Sequence, residues 1–160
     1  MTTITSRNPY TGEINATFET ISNEEIDNII NKSYAAFLNR KDLPLSEKKV
    51  LFLKLADILE QDIPLHAKNE TIEMGSLYTF SQKVITWTVN MIRRNVNNCE
   101  RILADEPINN DGFVGHIQYD PLGVIYGIAP WNFPYNQLLR AAVPNLLAWN
   151  TVVYKHASNV

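Results

Sequence analysis

The final stretch of the chain constrains its fold most. "GVIYGIA", from Gly123 to Ala129, is a short and almost uncharged run of the kind buried on both faces of a parallel sheet. "DPLG" immediately before it is turn chemistry. "YNQLLRAAVPNLLAW" then carries a helix, although Pro144 removes an internal hydrogen bond and is expected to bend or restart it. "TVVYK" returns as a strand. Strand, helix and strand within about thirty residues make a βαβ unit, whose two strands run parallel and whose crossover is right-handed. Ligands of open α/β sheets bind beyond the carboxyl ends of the strands. "APWNFP" follows the first strand and "KHASN" the second, so the topology brings Trp131, Asn132 and Lys155 to one edge.

The rest of the chain is mostly helical. "RNPYTGEINATFE" predicts a turn between two short strands. In "SNEEIDNIINKSYAAFLNR", Ser22 and Glu25 make a capping box, and Ile26, Ile29, Ile30, Tyr34, Phe37 and Leu38 recur at helical spacing. Ser46 is expected to cap a second helix carrying Val50, Leu51, Leu53, Leu55, Ile58 and Leu59. Pro64 should end or kink it before a further helical turn closes at Gly75. Val84, Trp87, Met91, Ile92, Val96, Cys99 and Leu103 form the stripe of one or two packed helices. "NNDG" followed by "FVGHIQY" predicts a hairpin between Pro107 and Tyr119. The expected architecture is therefore α/β: a helix-rich N-terminal part, a β-hairpin, then the first βαβ unit of a Rossmann-like parallel sheet.

Charge and composition exclude several function classes. Hydrophobic residues at 45% and charged residues at 19% fit a folded globular chain. A net charge of -3 with scattered Lys and Arg gives no field to gather a phosphate backbone, so nucleic acid is not the expected partner. No apolar run reaches the roughly 20 residues needed to cross a bilayer, and "MTTITSRNPYTGE" lacks the apolar core of a signal peptide. A cytoplasmic location without membrane partners is expected. The single cysteine, Cys99, has no internal disulfide partner and shares the stripe with Ile92, Val96 and Leu103, which reads as a buried, inert thiol. His66, His116 and His156 lie far apart without metal-ligand spacing, so no metal is expected.

"PLGVIYGIAPWNFP", followed by a strand that ends in a lysine, resembles the aldehyde dehydrogenase superfamily, whose members share a Pro-Trp-Asn-Phe-Pro segment in that place. "NPYTGE" and the "EMG" of Glu73 to Gly75 also sit where that family's corresponding segments fall. The resemblance spans the whole chain and matches the N-terminal part of such an enzyme. It implies that residues 1–160 belong to the NAD(P)-binding domain, that the hairpin at about 107–120 serves oligomerisation, and that the parent is a homo-oligomer.

The resemblance also assigns roles. Asn132 would offer its side-chain amide to the oxyanion formed when a cysteine thiolate attacks an aldehyde carbon, a contribution of about 3 to 4 kcal/mol for a preorganised donor. Trp131 would line the nicotinamide and substrate passage, and backbone from Ile128 through Ala129 to Pro130 would face the cofactor. Lys155 would bind the adenosine ribose, with His156, Ala157 and Ser158 beside it. Many members carry a Glu three residues beyond that lysine, where it repels a 2'-phosphate. Ser158 stands there instead, so the expected cofactor is NAD or NADP, with NADP tolerated or preferred. The "KHASN" run is similar to the succinate-semialdehyde dehydrogenase branch.

By the same resemblance, the family's nucleophilic cysteine, general-base glutamate and glycine segment over the pyrophosphate lie past Val160. The catalytic domain is expected to be absent and this chain inactive alone. The parent would oxidise an aldehyde through a cysteine thioester; the alternative is a noncatalytic remnant, a dinucleotide-binding or oligomerisation module. On spacing alone Asn132 reads as a cap for a helix beginning near Tyr135, and Trp131 as core. Glu73 reads as a helix-end carboxylate without a catalytic role.

Overall fold

The computed structural model describes residues 3–110 and 112–160. The chain opens with a hairpin of β1 (Thr3–Arg7) and β2 (Ile14–Glu19), paired antiparallel with a register shift between Ser6 and Arg7. Asn8 organises the turn, its Oδ1 accepting from the Tyr10 N–H at 2.9 Å.

Helix α1 (Asn23–Arg40) starts at the expected capping box: Ser22 Oγ accepts from the Glu25 N–H, and Glu25 Oε2 accepts from the Ser22 N–H at 2.7 Å. Its apolar stripe is only partly covered, with no residue of the helix fully buried. The cause lies in what it packs on, a two-stranded sheet of β5 (Val124–Ile128) and β6 (Thr151–Lys155), too narrow to shield a helix face. Thr151 Oγ1 ties the two by donating to the Ser33 carbonyl at 3.1 Å.

Helix α2 (Leu45–Gln61) does not use Ser46 as its cap. Pro44 occupies that position and makes no side-chain cap bond; its carbonyl accepts from the Glu47 N–H at 3.1 Å. The proline ring presets the backbone for helix entry, so the first turn forms two residues earlier than the serine signal suggests. Asp62 interrupts the path, and α3 (Ile63–Met74) begins with Pro64 in its first turn, as a proline break requires. Gly75 ends α3 at φ 72, and a Cβ there would lie 2.8 Å from Pro9 Cγ. Both the left-handed backbone and the close approach call for glycine.

The long apolar stripe is one helix, α4 (Tyr78–Ile102), packed against α2, α3 and α5 (Pro134–Leu147). Ala56 and Leu59 from α2, Val89, Ile92, Val96 and Cys99 from α4, and Val143 and Leu147 from α5 form the core. Helix α5 runs unbroken through Pro144, so it does not restart there. The proline sits in the last turn, where it forfeits one bond, and the Ala148 N–H still reaches the Pro144 carbonyl at 3.0 Å.

Strands β3 (Glu106–Asn110) and β4 (Phe113–Ile117) form the expected hairpin, closed at its base by a hydrogen bond from the Tyr119 hydroxyl to Glu106. Of the predicted "NNDG" turn, Asp111 lies outside the described residues. Strands β5 and β6 pair parallel, Val124 opposite Thr151 through Ile128 opposite Lys155, with α5 as their crossover. The α/β reading and the βαβ unit hold. Among the described residues no helix is long and apolar enough to cross a membrane, and no group of three or more His, Cys, Asp and Glu side chains is placed to hold a metal.

Candidate functional site

The site grows from the carboxyl ends of β5 and β6. Asn150 sets the strands' starting register, its Oδ1 accepting from the Gly123 N–H at 2.9 Å while the Thr151 N–H donates to the Gly123 carbonyl. Five residues later the ladder closes with the Ala129 N–H donating to the Lys155 carbonyl at 3.1 Å. The two tips, Pro130–Phe133 and Lys155–Ser158, therefore leave the sheet side by side. Gly127 permits this near the edge: a Cβ there would stand 2.6 Å from Tyr154 Cδ2, so the Tyr154 ring lies across the strand only because no side chain is present.

The first tip is a tight strand-to-helix turn. Phe133 occupies the position before α5 with φ 65 and ψ 59, a left-handed conformation that costs a non-glycine residue about 1–2 kcal/mol. Its ring packs against Phe80 from α4 with centroids 6.0 Å apart, which anchors the strained residue. Pro134 follows at the first helical turn, and no side chain caps α5 locally. The capping reading of Asn132 is thereby excluded. Asn132 is half-buried and makes no hydrogen bond among the described residues, so its amide is uncommitted. Trp131 is exposed, at 53%, and not core. Ile128 is exposed; Ala129 is buried with its N–H engaged, which leaves its carbonyl as the free polar group.

The second tip carries the cation. Lys155 is exposed, its Nζ donating to the His156 carbonyl at 2.9 Å. Ala157 is half-buried and Ser158 exposed. His156 turns away from the edge, its ring edge-on to Tyr154 at 5.2 Å. Burial, with a smaller push from Lys155, holds its pKa below the ordinary value.

His156 lines a cavity of about 450 Å³ beneath the tips, together with Asn69, Glu70 and Glu73 from α3 and Pro134 and Tyr135 from α5. Sequence reasoning missed most of these. Glu73 is the expected helix-end carboxylate of α3, and it accepts a hydrogen bond from Ser6 Oγ. Glu70 went unnoticed: it is 1% exposed, and burial pushes its carboxyl up to about 7. His66, Asn69, Glu70 and Glu73 recur at spacings of three and four, which makes one face of α3 polar; that this face is covered follows only from the fold. Cys99 is buried in the core, its Sγ 3.2 Å from the Val96 carbonyl and its thiol pushed up by burial, which makes it a poor nucleophile.

An uncommitted amide, an exposed indole and an exposed ammonium thus share the edge of a parallel sheet. Such an edge can donate to an oxyanion, stack against a planar ring and bind hydroxyl or phosphate oxygens. An absent dinucleotide fits these donors: the ammonium is exposed, and no carboxylate occupies the Lys155–Ser158 tip.

The family model described as "Aldehyde dehydrogenase family" matches residues 1–160. The chain is 36% identical over 162 residues to succinate-semialdehyde dehydrogenase (NADP(+)) 1 of Mycobacterium ulcerans, a match covering 98% of this chain and 35% of the relative. It is 37% identical over 162 residues to succinate-semialdehyde dehydrogenase (NADP(+)) of Mycobacterium avium, covering 98% and 34%. The solved structure of succinic semialdehyde dehydrogenase from Streptococcus pyogenes with NADP+ superposes at a TM-score of 0.92 and 28% identity, covering 97% of this chain and 34% of that one. The chain spans about a third of the length of the curated relatives it matches.

Proposed function

This chain belongs to the aldehyde dehydrogenase family, and from that premise we propose that it provides the oxyanion and dinucleotide contacts for NAD(P)-dependent oxidation of an aldehyde to its acid. The observation that carries this reading is the pairing of the two tips: the Ala129–Lys155 ladder bond brings the turn that carries an uncommitted Asn132 and the tip that carries an exposed Lys155 to the same edge of the parallel sheet. Residues 1–160 form the N-terminal part of the NAD(P)-binding domain, and the hairpin of β3 and β4 joins subunits of a homo-oligomer. The substrate is succinate semialdehyde, after the relatives' names. Composition and charge support a cytoplasmic protein without nucleic-acid or membrane partners.

When bound, the dinucleotide supplies the hydride acceptor. Lys155 offers N–H donors to ribose hydroxyls or a 2'-phosphate, with Ser158 and the backbone of His156 and Ala157 completing the contact. Ile128, Ala129 and Pro130 face the cofactor with backbone carbonyls. Trp131 walls the passage with a flat apolar surface. Asn132 donates from its amide to the developing oxyanion, and the packing that locks Phe133 keeps that donor preorganised.

A second reading is favoured by the burial of Cys99, the chain's one cysteine. With no reactive thiol, the 160-residue chain is a binding or assembly module that completes no turnover alone. One experiment addresses both readings: titrate the purified chain with NADP and with NAD while following tryptophan fluorescence, then add succinate semialdehyde and follow NADPH absorbance. Saturable quenching by NADP, lost in Lys155→Ala, without NADPH formation is the expected result. A cooperatively folded chain blind to both nucleotides would overturn the proposed dinucleotide contacts.

A further inference from the structure

Helix α5 begins without a cap of its own, because Phe133 offers no side-chain acceptor and Pro134 no N–H. The amides that follow still need a partner. From α3, His66, Asn69 and Glu70 converge on Tyr135, the second residue of α5. The His66 ring lies edge-on to Tyr135 at 4.9 Å, and Asn69 Nδ2 donates to the Tyr135 hydroxyl at 3.2 Å. The Glu70 carboxyl faces the Tyr135 backbone amide and the Ser81 hydroxyl of α4. Both draw it toward its charged form, yet neither completes a well-formed hydrogen bond, so both carboxyl oxygens and Ser81 Oγ remain buried and unpaired.

We propose that Glu70 is a positioning residue: it acts as a remote cap for α5, its carboxylate holding the start of the helix and with it the Pro130–Phe133 turn that carries Asn132, and protonation releases that hold. A carboxylate at a helix N-terminus is stabilised by the macrodipole, whereas a neutral carboxyl is not. The other titratable groups at this place are His66 and Glu73 on α3, the Tyr135 hydroxyl on α5 and His156 after β6; α4 contributes only the uncharged Ser81. Glu73 is occupied by Ser6. Burial weakens ionisation of Glu70 until its midpoint reaches about 7, so the hold changes across the neutral range. That this tunes an oxyanion donor rests on the function proposed above; the mechanical link from Glu70 to Asn132 does not.

The test is a pH titration of the isotope-labelled 160-residue chain by NMR, without nucleotide. The signals followed are the Glu70 carboxyl carbon, the Tyr135 backbone amide and the Asn132 side-chain amide. All three should share one midpoint, and the Tyr135 and Asn132 transitions should vanish in Glu70→Gln while persisting in His66→Gln and His156→Gln. Transitions that survive in Glu70→Gln, or that vanish in a histidine variant instead, overturn the proposal. If Glu70→Gln does not fold, wild type and the histidine variants decide, because a Tyr135 or Asn132 midpoint distinct from that of Glu70 is equally fatal. Failure of NADP to bind would count against the proposed function and leave this result standing.

Discussion

Lys48 and Glu70 stand at opposite ends of the same helix. From α2, the Lys48 ammonium donates to the Leu146 carbonyl at 2.9 Å in the last turn of α5, with the Trp149 ring centroid 5.4 Å away. From α3, the Glu70 carboxyl faces the first turn. A cation at the C-terminal end and an anion at the N-terminal end both oppose the helix macrodipole. The crossover helix of the βαβ unit, which lacks a side-chain cap at its start and contains Pro144, is thus held from outside by side chains of two other helices.

Replacing Lys48 by Met keeps the apolar stem and removes the donor and charge. Loss of a hydrogen bond to a helix-end carbonyl and of the dipole interaction should cost about 1–2 kcal/mol, read as a lower urea midpoint at unchanged slope. Lys48→Arg should retain more than half of the difference. Equal stability of Lys48→Met and wild type would show that the ammonium only offsets its own burial.

The raised carboxyl of Glu70 makes stability depend on pH in a definite direction. Its pKa moves from the usual 4.5 to about 7, so the folded chain binds the proton more tightly than the unfolded chain. This contribution is complete below 4.5 and lost as pH rises through about 7. Between about pH 5 and about pH 8 the group should therefore remove on the order of 2 kcal/mol of stability. Glu70→Gln should flatten that part of the profile and raise the melting temperature at the alkaline end, because the burial cost of the charge exceeds what the carboxylate contributes at the start of α5. A wild-type profile that rises with pH over this window, with no change in the variant, would contradict the assignment.

Asn132→Ala separates the two readings of that residue. A capping asparagine costs about 1 kcal/mol when truncated, whereas an uncommitted side chain on a turn costs less than about 0.5 kcal/mol. With α5 uncapped locally and Asn132 unbonded, urea unfolding of the variant should coincide with wild type within that smaller margin. A midpoint shift worth about 1 kcal/mol would restore the capping role and weaken the case for a donor held in reserve.

What the sequence disclosed and what it concealed follow from the range of the forces involved. The Ser22–Glu25 box, the Gly75 stop and the β5–α5–β6 unit are legible because each depends on neighbours in the chain or on a short periodic pattern. The start of α2 is not legible in the same way, because Ser46 is a good cap in isolation while Pro44, two residues earlier, determines where the first turn forms. Pro144 does not restart the helix because it falls in the last turn, a place the pattern leaves open. Glu70 was invisible for a deeper reason. Its burial comes from α4 and α5 closing over α3, and no local feature of "HAKNETIEM" distinguishes a buried carboxylate from a solvated one.

Ser158 offers the sharpest handle on nucleotide choice. It is exposed at the tip that begins with Lys155, and the tip carries no carboxylate. A 2'-phosphate brought to Lys155 therefore meets a cation and a neutral hydroxyl, which favours NADP. Ser158→Glu places a negative charge three residues from the lysine, where it repels a phosphate and accepts from ribose hydroxyls. The repulsion should be worth about 1.4 kcal/mol in this exposed place, a tenfold loss of NADP affinity with NAD affinity held or improved. Calorimetric titration of both nucleotides into wild type and variant reads this directly. Raising the salt concentration should shrink the effect, because exposed charges are screened over about 8 Å under physiological conditions. An equal loss for both nucleotides would indicate disturbed folding of the tip. No loss for NADP would place the 2'-phosphate away from Ser158, and the basis of selectivity would then lie outside the Lys155–Ser158 segment.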